Sequence, residues 1–296
     1  MSAEIIDGKK IASQIKNELI DDVSTLKNQG IIPGLATVLV GEDPASATYV
    51  RMKEKMCNEL GILTKSFKLS AETTEKELLS IVNDLKLDNE IHGILVQLPL
   101  PKHIDERNII NSIHENKDVD GFHPASWGKM MKGEDTFLPC TPAGIQELMI
   151  RSGNNPEKKH VVIVGRSHIV GLPLANILVR KTAGANATVT VCHTGTKDIS
   201  NFTKQADILV AAIGRPEVVT ADMVNENAAV IDVGVNRVEA PETKKGYRLV
   251  GDVHFESVSQ KVKAITPVPG GVGPMTIIML MKNTVKSAKQ TLSRKN

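Results

Sequence analysis

Tyr49 and Lys53 stand one helical turn apart in a segment whose residues sort into an apolar and a polar side. At about 100° per residue, Tyr49, Val50, Met52, Met56, Cys57 and Leu60 share one side, and Arg51, Glu54, Lys55, Asn58 and Glu59 the other. Lys53 falls in the middle of the apolar side. Burial lowers the pKa of an ammonium, and a lysine is rarely buried without a partner. Two readings follow. The stem can run along the core with its charge at the edge, or a neutral amine can act as a general base, with the Tyr49 hydroxyl over the same ligand.

Other loops carry groups able to complete such a site. Val96-Gln97-Leu98-Pro99 lies at the carboxyl end of a predicted strand, where open α/β sheets place ligands. Gln97 offers a donor and an acceptor able to hold a water or a carbonyl, or else it caps the strand. Lys117-Asp118-Val119-Asp120-Gly121 has the composition of a solvated turn, and it lacks the further ligands of a calcium loop. A carboxylate there can also take two parallel hydrogen bonds from the N–H edge of a heterocycle. Between Thr266 and Thr276, Pro267, Pro269 and Pro274 alternate with Gly270, Gly271 and Gly273. The prolines fix backbone angles and the glycines let a ligand approach the main chain.

A different chemistry is written further along. Val161 to Val164 form a β-branched strand, Gly165 makes the turn, and helical apolar spacing begins at Leu172. Unpaired N–H groups and the dipole at such a helix start favour a phosphate. Five residues separate Gly165 from Gly171, so the spacing is not the usual G-x-G-x-x-G. The next strand, Thr188 to Cys192, runs into His193 and Thr194. A site for NAD carries an acid here, roughly 20 residues past the fingerprint, to bind the ribose 2′-hydroxyl. No acid precedes Asp198; imidazole, hydroxyl and the Arg166 guanidinium are offered instead. That set suits a 2′-phosphate. The cofactor reading is NADP.

Alternating strand and helix signals must position these groups. Helices are predicted over 9–27, 45–60, 74–85, 106–114 and 142–151, with a last one opening at Pro274. Strands are predicted over 35–40, 63–69, 93–97, 161–164, 188–192, 207–212 and 228–233, and a short one ends at Ile265. A domain change near 139–143 gives residues 1–140 plus 275–296 as one domain and 141–274 as the other. At 296 residues the chain is long enough for two cores. A charge of +2 and 3% aromatic residues give no support to nucleic-acid binding. Cys57, Cys140 and Cys192 are isolated, which argues against a disulfide framework and a zinc site. No secretory h-region or bilayer-spanning run is present, so a cytoplasmic enzyme without a metal is expected.

Taken together, Tyr49-x-x-x-Lys53, Val96-Gln97-Leu98-Pro99, Lys117 to Gly121, Pro139-Cys140-Thr141-Pro142, Gly165-Arg166-Ser167 and Pro267 to Pro274 carry a family resemblance. The chain resembles the bifunctional methylenetetrahydrofolate dehydrogenase/methenyltetrahydrofolate cyclohydrolase family, the bacterial FolD type, from Ile5 to Leu292. The resemblance implies two α/β domains flanking a cleft, the second a Rossmann-like parallel-sheet domain for NADP, and a homodimer. It implies NADP-dependent oxidation of 5,10-methylenetetrahydrofolate to the methenyl form, then hydrolysis to 10-formyltetrahydrofolate. By the same resemblance Lys53 is the catalytic lysine, with Tyr49 and Gln97 beside it and Asp120 holding the pterin ring. Val96, Leu98, Pro269, Gly270, Gly271, Val272 and Gly273 would line the folate site. Thr141, Gly165, Arg166, Ser167, Ile169, His193, Thr194, Gly234 and Val235 would line the cofactor site. Thr194 stands where many relatives carry serine, and it keeps the hydroxyl. NAD-dependent monofunctional relatives often lack the lysine that this chain has. A shikimate-type NADP dehydrogenase would not need Tyr49, Lys53 and the glycine-rich loop together.

Overall fold

The computed structural model describes residues 2–243 and 246–295, with side chains for all of these except Ala45 and 293–295. Along the chain the elements run β1 (Glu4–Ile5), α1 (Gly8–Asn28), β2 (Gly34–Val40), α2 (Pro44–Leu60), β3 (Leu63–Leu69) and α3 (Glu75–Leu87). Next come β4 (Gly93–Val96), α4 (Glu106–Ser112), α5 (Pro124–Lys132), α6 (Cys140–Arg151), β5 (His160–Val164) and α7 (Gly171–Leu178). The remainder is β6 (Thr188–Cys192), α8 (Ser200–Thr203), β7 (Ile208–Ala211), β8 (Ala229–Asp232) and β9 (Asn236–Glu239). The chain ends with β10 (Tyr247–Val250), α9 (Phe255–Ser259), β11 (Ala264–Ile265) and α10 (Val272–Lys295). These elements form two compact units, Met1–Ser13 with Thr141–Thr276 and Gln14–Cys140 with Ile277–Asn296.

The unit built on residues 14–140 holds a parallel three-stranded sheet in the order β3-β2-β4. Central β2 is buried along its whole length, which is why it reads as an unbroken apolar run rather than an alternating one. β3 lies at the edge: Phe67 and Leu69 pack on the core with Val38, Leu78 and Ile94, while Lys65 pairs with Asp88 at 2.7 Å and Glu90 at 2.8 Å. Charge on an edge strand discourages further pairing. Asp43 caps α2 by accepting from the Ser46 N–H at 2.7 Å. Pro44 begins the helix, and Gly61 at φ 69° ends it. Helix α5 is absent from the sequence expectation, although Pro124 just inside its start and Gly133 at φ 76° just past its end are both helix signals.

The other unit carries a six-stranded sheet in the order β1-β11-β8-β7-β5-β6, parallel throughout. Strand β5 has β6 on one side and β7 on the other. That reversal of strand order opens the crevice in which sheets of this kind bind ligands. The α/β class and the parallel second sheet are as the sequence predicts. Two boundaries differ. Residues 1–13 fall in this unit instead of the first, because Glu4–Ile5 pairs with β11; two residues are too few for a periodic signal. Helix α10 starts at Val272, ahead of Pro274. Its first-turn N–H groups have no intrahelical acceptor, so a proline there costs no hydrogen bond. The β9–β10 hairpin also escaped prediction, being short and half-exposed.

Candidate active site and cofactor cradle

Ser46, Val50, Lys53, Cys57 and Leu60 are the buried positions of α2, a stripe stepping by four and three. Met52, expected on that side, is 46% exposed; it sits one position back from Lys53 and therefore about 100° around the helix. Lys53 itself is 7% exposed. Its ammonium nitrogen donates to Gln97 Oε1 at 2.9 Å, and Gln97 Nε2 donates to the Leu98 carbonyl at 2.7 Å. Gln97 is fixed at its backbone too, donating from its N–H to the Val38 carbonyl at 2.8 Å. Parallel pairing of β2 with β4 thus delivers Gln97 to the carboxyl end of the sheet, from which α2 departs. Tyr49, half-buried one turn before Lys53, has its phenol pushed up by burial. Burial lowers the Lys53 amine, while the charge of Asp120 works in the other direction.

The two aspartates of the 117–121 loop divide their work. Asp118, 2% exposed, accepts from the Phe122 N–H at 3.1 Å, the His123 N–H at 2.9 Å and the Ser126 hydroxyl at 2.8 Å. Burial still pushes its carboxyl up to about 6. With its oxygens so engaged, Asp118 locks the turn that leads into α5. Asp120 is half-buried. Burial raises its carboxyl, opposed by the charge of Lys53 and a hydrogen bond from Cys140. The Cys140 thiol, fully enclosed beside Asp120, is pushed well above the ordinary range. The backbone between the two aspartates is held in turn: the Val119 carbonyl accepts from Cys140 Sγ at 3.3 Å and Asn283 Nδ2 at 2.8 Å.

Asn283 also donates to the Leu138 carbonyl at 3.0 Å. Sequence reasoning passed over Asn283, Cys140 and Asp118. Asn283 was findable, since it is a polar residue on the apolar side of a helix, the same anomaly that singles out Lys53. Removing its amide with Asn283→Ala takes the donor from the part-buried Leu138 carbonyl and leaves the buried Val119 carbonyl with Cys140 Sγ alone. We expect a loss of about 1–3 kcal/mol, read as a lower unfolding midpoint, together with weaker substrate binding through the displaced 117–121 loop.

In the other unit, Gly165 follows β5 at φ 134°, and an added Cβ would lie 2.1 Å from the Ala212 carbonyl oxygen. Only glycine fits there. A Cβ on Gly171 would come within 2.0 Å of the Gly165 oxygen, so the two glycines press the turn against the start of α7. That helix has no side-chain cap; the Leu172 N–H is taken by the Ser167 carbonyl at 3.1 Å and Pro173 has none, so the Gly171 N–H is the first-turn donor left to meet an anion. Ser167 Oγ accepts from the Val170 N–H at 3.2 Å. Arg166 Nη1 lies 3.5 Å from His193 Nε2, and His193 Nδ1 accepts from the Gly195 N–H at 3.0 Å. A ring that accepts at Nδ1 carries its proton at Nε2 when neutral. Two donors therefore sit side by side, an arrangement that a phosphate satisfies and a bare hydroxyl does not. Thr194 is exposed next to them. Ile169 and Val235 are exposed apolar surfaces, and Thr141 Oγ1 is 2.9 Å from Thr276 Oγ1. The glycine cradle, uncapped helix and paired donors fit NADP.

The expected substrate residues divide between the units. Tyr49, Lys53, Val96, Gln97, Leu98 and Asp120 belong to one, and Pro269, Gly270, Gly271, Val272 and Gly273 to the other, with the cofactor residues. Among the described residues no helix is long and apolar enough to cross a membrane.

Two family models cover most of the chain. Residues 6–120 match the tetrahydrofolate dehydrogenase/cyclohydrolase catalytic domain, and residues 139–292 match the NAD(P)-binding domain of the same name. The chain is 57% identical over 294 residues to the bifunctional protein FolD of Dehalococcoides mccartyi strain CBDB1, covering 99% of each. Among solved structures, the bifunctional FolD enzyme of Campylobacter jejuni superposes with a TM-score of 0.92 at 48% identity, over 98% of this chain and 100% of that one. The Trypanosoma brucei methylenetetrahydrofolate dehydrogenase-cyclohydrolase, solved with NADP cofactor and an inhibitor, gives 0.93 at 39% identity, over 99% of each chain.

Proposed function

The chain belongs to the tetrahydrofolate dehydrogenase/cyclohydrolase family, and from that premise we propose how its residues share the work. The protein is an NADP-dependent methylenetetrahydrofolate dehydrogenase and methenyltetrahydrofolate cyclohydrolase. Its two reactions ask for different things. Oxidation leaves a cation that the folate nitrogens stabilise, so the protein has mainly to hold flat ligands in register. Bound NADP supplies the hydride acceptor. Hydrolysis of the methenyl cation needs an activated water and somewhere to put its proton.

One observation carries the assignment of the second step: a buried amine with a lowered pKa, hydrogen-bonded to Gln97 and facing Asp120. Lys53 in its neutral form takes the proton from water as the oxygen attacks the methenyl carbon; the bond from that carbon to N5 then breaks, N5 takes up a proton and the added hydroxyl gives up its own, which leaves the formyl group on N10. A cationic substrate itself disfavours a second positive charge and so keeps the amine neutral. Gln97 orients the amine, and Tyr49 lends a hydroxyl one turn away. Asp120 receives the N–H edge of the pterin through two parallel hydrogen bonds. Val96 and Leu98 flank Gln97, and the loop from Pro269 to Gly273 is assigned to substrate on the family resemblance. The test of this reading is whether substitutions at Lys53 separate the two activities.

Gly165, Arg166, Ser167, Ile169, His193, Thr194, Gly234, Val235 and Thr141 are assigned to the cofactor. Arg166→Ala is expected to weaken NADP binding by roughly 1.5–3 kcal/mol, the value of a hydrogen bond to a charged group, and to leave NAD binding almost unchanged. Titration with both cofactors checks it; equal losses would remove Arg166 from the 2′-phosphate site. A cytoplasmic homodimer, and a 10-formyltetrahydrofolate product that serves purine biosynthesis, complete the proposal on the family resemblance.

A further inference from the structure

We propose that Asp232 and Asp252 are positioning residues for NADP: a buried carboxylate pair that sets the two loops at the carboxyl ends of β7 and β8. The inference rests on the cofactor assignment above. Asp252 is completely buried and Asp232 nearly so, yet among the described residues neither is paired with a cation. Their oxygens are instead filled by six main-chain donors and one side-chain amide. Asp252 accepts from the Ile213 N–H at 2.5 Å, Gly214 at 2.9 Å and Arg215 at 3.0 Å, the three residues that leave β7 after Ala212. It also accepts from Asn236 Nδ2 at 2.9 Å, at the start of β9. Asp232 accepts from the Gly234 N–H at 3.0 Å, and from the N–H groups of Asp252 at 2.9 Å and Val253 at 3.0 Å. Each carboxylate therefore braces the backbone around the other.

Two glycines exist to let this happen. A Cβ on Gly234 would lie 2.1 Å from Asp252 Oδ1, and one on Gly251 would lie 1.7 Å from Asp232 Oδ2. Gly234 is thus glycine for the carboxylate behind it. The 213–215 loop begins beside Ala212, whose carbonyl presses on Gly165, so it stands at the strand-order reversal where the cofactor is assigned. Successive N–H groups converging on one carboxylate fix a loop's path far more tightly than packing alone. A loop held in advance binds without an ordering cost when the ligand arrives.

Asp252→Asn keeps the shape and turns one acceptor into a donor facing N–H groups. The dissociation constant for NADP+, titrated without folate, is expected to rise roughly 10- to 100-fold. Hydrolysis of methenyltetrahydrofolate, which needs no NADP, should stay within about twofold, because Lys53, Gln97 and Asp120 lie in the other unit and the bonds of Asp252 go to residues 213–215 and 236 rather than to the 269–273 loop. Asn236→Ala removes one donor and no charge, and should raise the same constant by roughly three- to tenfold. Unchanged NADP+ affinity in a folded Asp252→Asn protein overturns the inference, as does a parallel fall of hydrolysis and cofactor binding. Should Asp252→Asn fail to fold, unchanged affinity in Asn236→Ala overturns it equally. A wild-type chain that binds no NADP+ would instead overturn the cofactor assignment beneath it.

Discussion

Lys53→Gln stops methenyltetrahydrofolate hydrolysis and lets the methenyl product accumulate while NADP+ is still being reduced. The substitution keeps much of the side-chain length and removes the basic group that Gln97 holds in place. Loss of a general base lowers the rate on the order of 10²- to 10⁴-fold. Oxidation needs no proton acceptor, so a measurable fraction of dehydrogenase activity survives. Lys53→Arg fails in the same way, since a guanidinium stays protonated at any working pH. The wild-type pH profile has a definite sign. Burial lowers the Lys53 pKa, so the neutral base becomes populated below the ordinary lysine range. The hydrolysis rate rises with pH through that lowered pKa and then levels off. Retained hydrolysis in either variant would leave Lys53 as a core residue with its charge at the edge.

Asp120→Asn lowers both activities together, on the order of 10²-fold each. One acceptor oxygen becomes a donor pointed at the N–H edge of the pterin, and the pairing is lost together with its charge assistance. Both reactions need the ring in the same place, so their ratio should hardly change. A secondary effect tells this apart from simple misfolding. Asp120 raises the Lys53 pKa by its charge, so its removal should move the residual hydrolysis profile to lower pH. Unchanged folate affinity in the variant would return the 117–121 loop to a purely structural turn.

The sequence was most legible where one residue broke a pattern. Lys53 stood out on an apolar helix side, and the structure buries it against Gln97. Strand–glycine–helix order and the missing acid after β6 led to Arg166 and His193, which meet as adjacent donors. Asp118 and Asp120 could not be told apart by type, since both sit in one polar loop. Only the fold shows that one is filled by Phe122, His123 and Ser126 while the other faces the amine. Asp232 and Asp252 were illegible for a related reason. Apart from Asn236 Nδ2, their donors are backbone N–H groups of residues 213–215, 234, 252 and 253, and side-chain identity records nothing of such contacts. Met52 was misplaced because its apolar character suits a buried stripe that proves narrower than the sequence suggests. Residues 1–13 were put in the wrong unit because pairing between distant segments leaves no local periodicity.

The most direct test follows both products in a single reaction. Purified wild-type protein is incubated with 5,10-methylenetetrahydrofolate and NADP+, or with NAD+ in a parallel sample, and NADPH, methenyltetrahydrofolate and 10-formyltetrahydrofolate are quantified over time. The predicted result is cofactor reduction strongly favouring NADP+, with 10-formyltetrahydrofolate formed in step with NADPH and the methenyl form passing through only as an intermediate. Reduction without 10-formyltetrahydrofolate beyond the uncatalysed rate, or equal use of NAD+, would contradict the account.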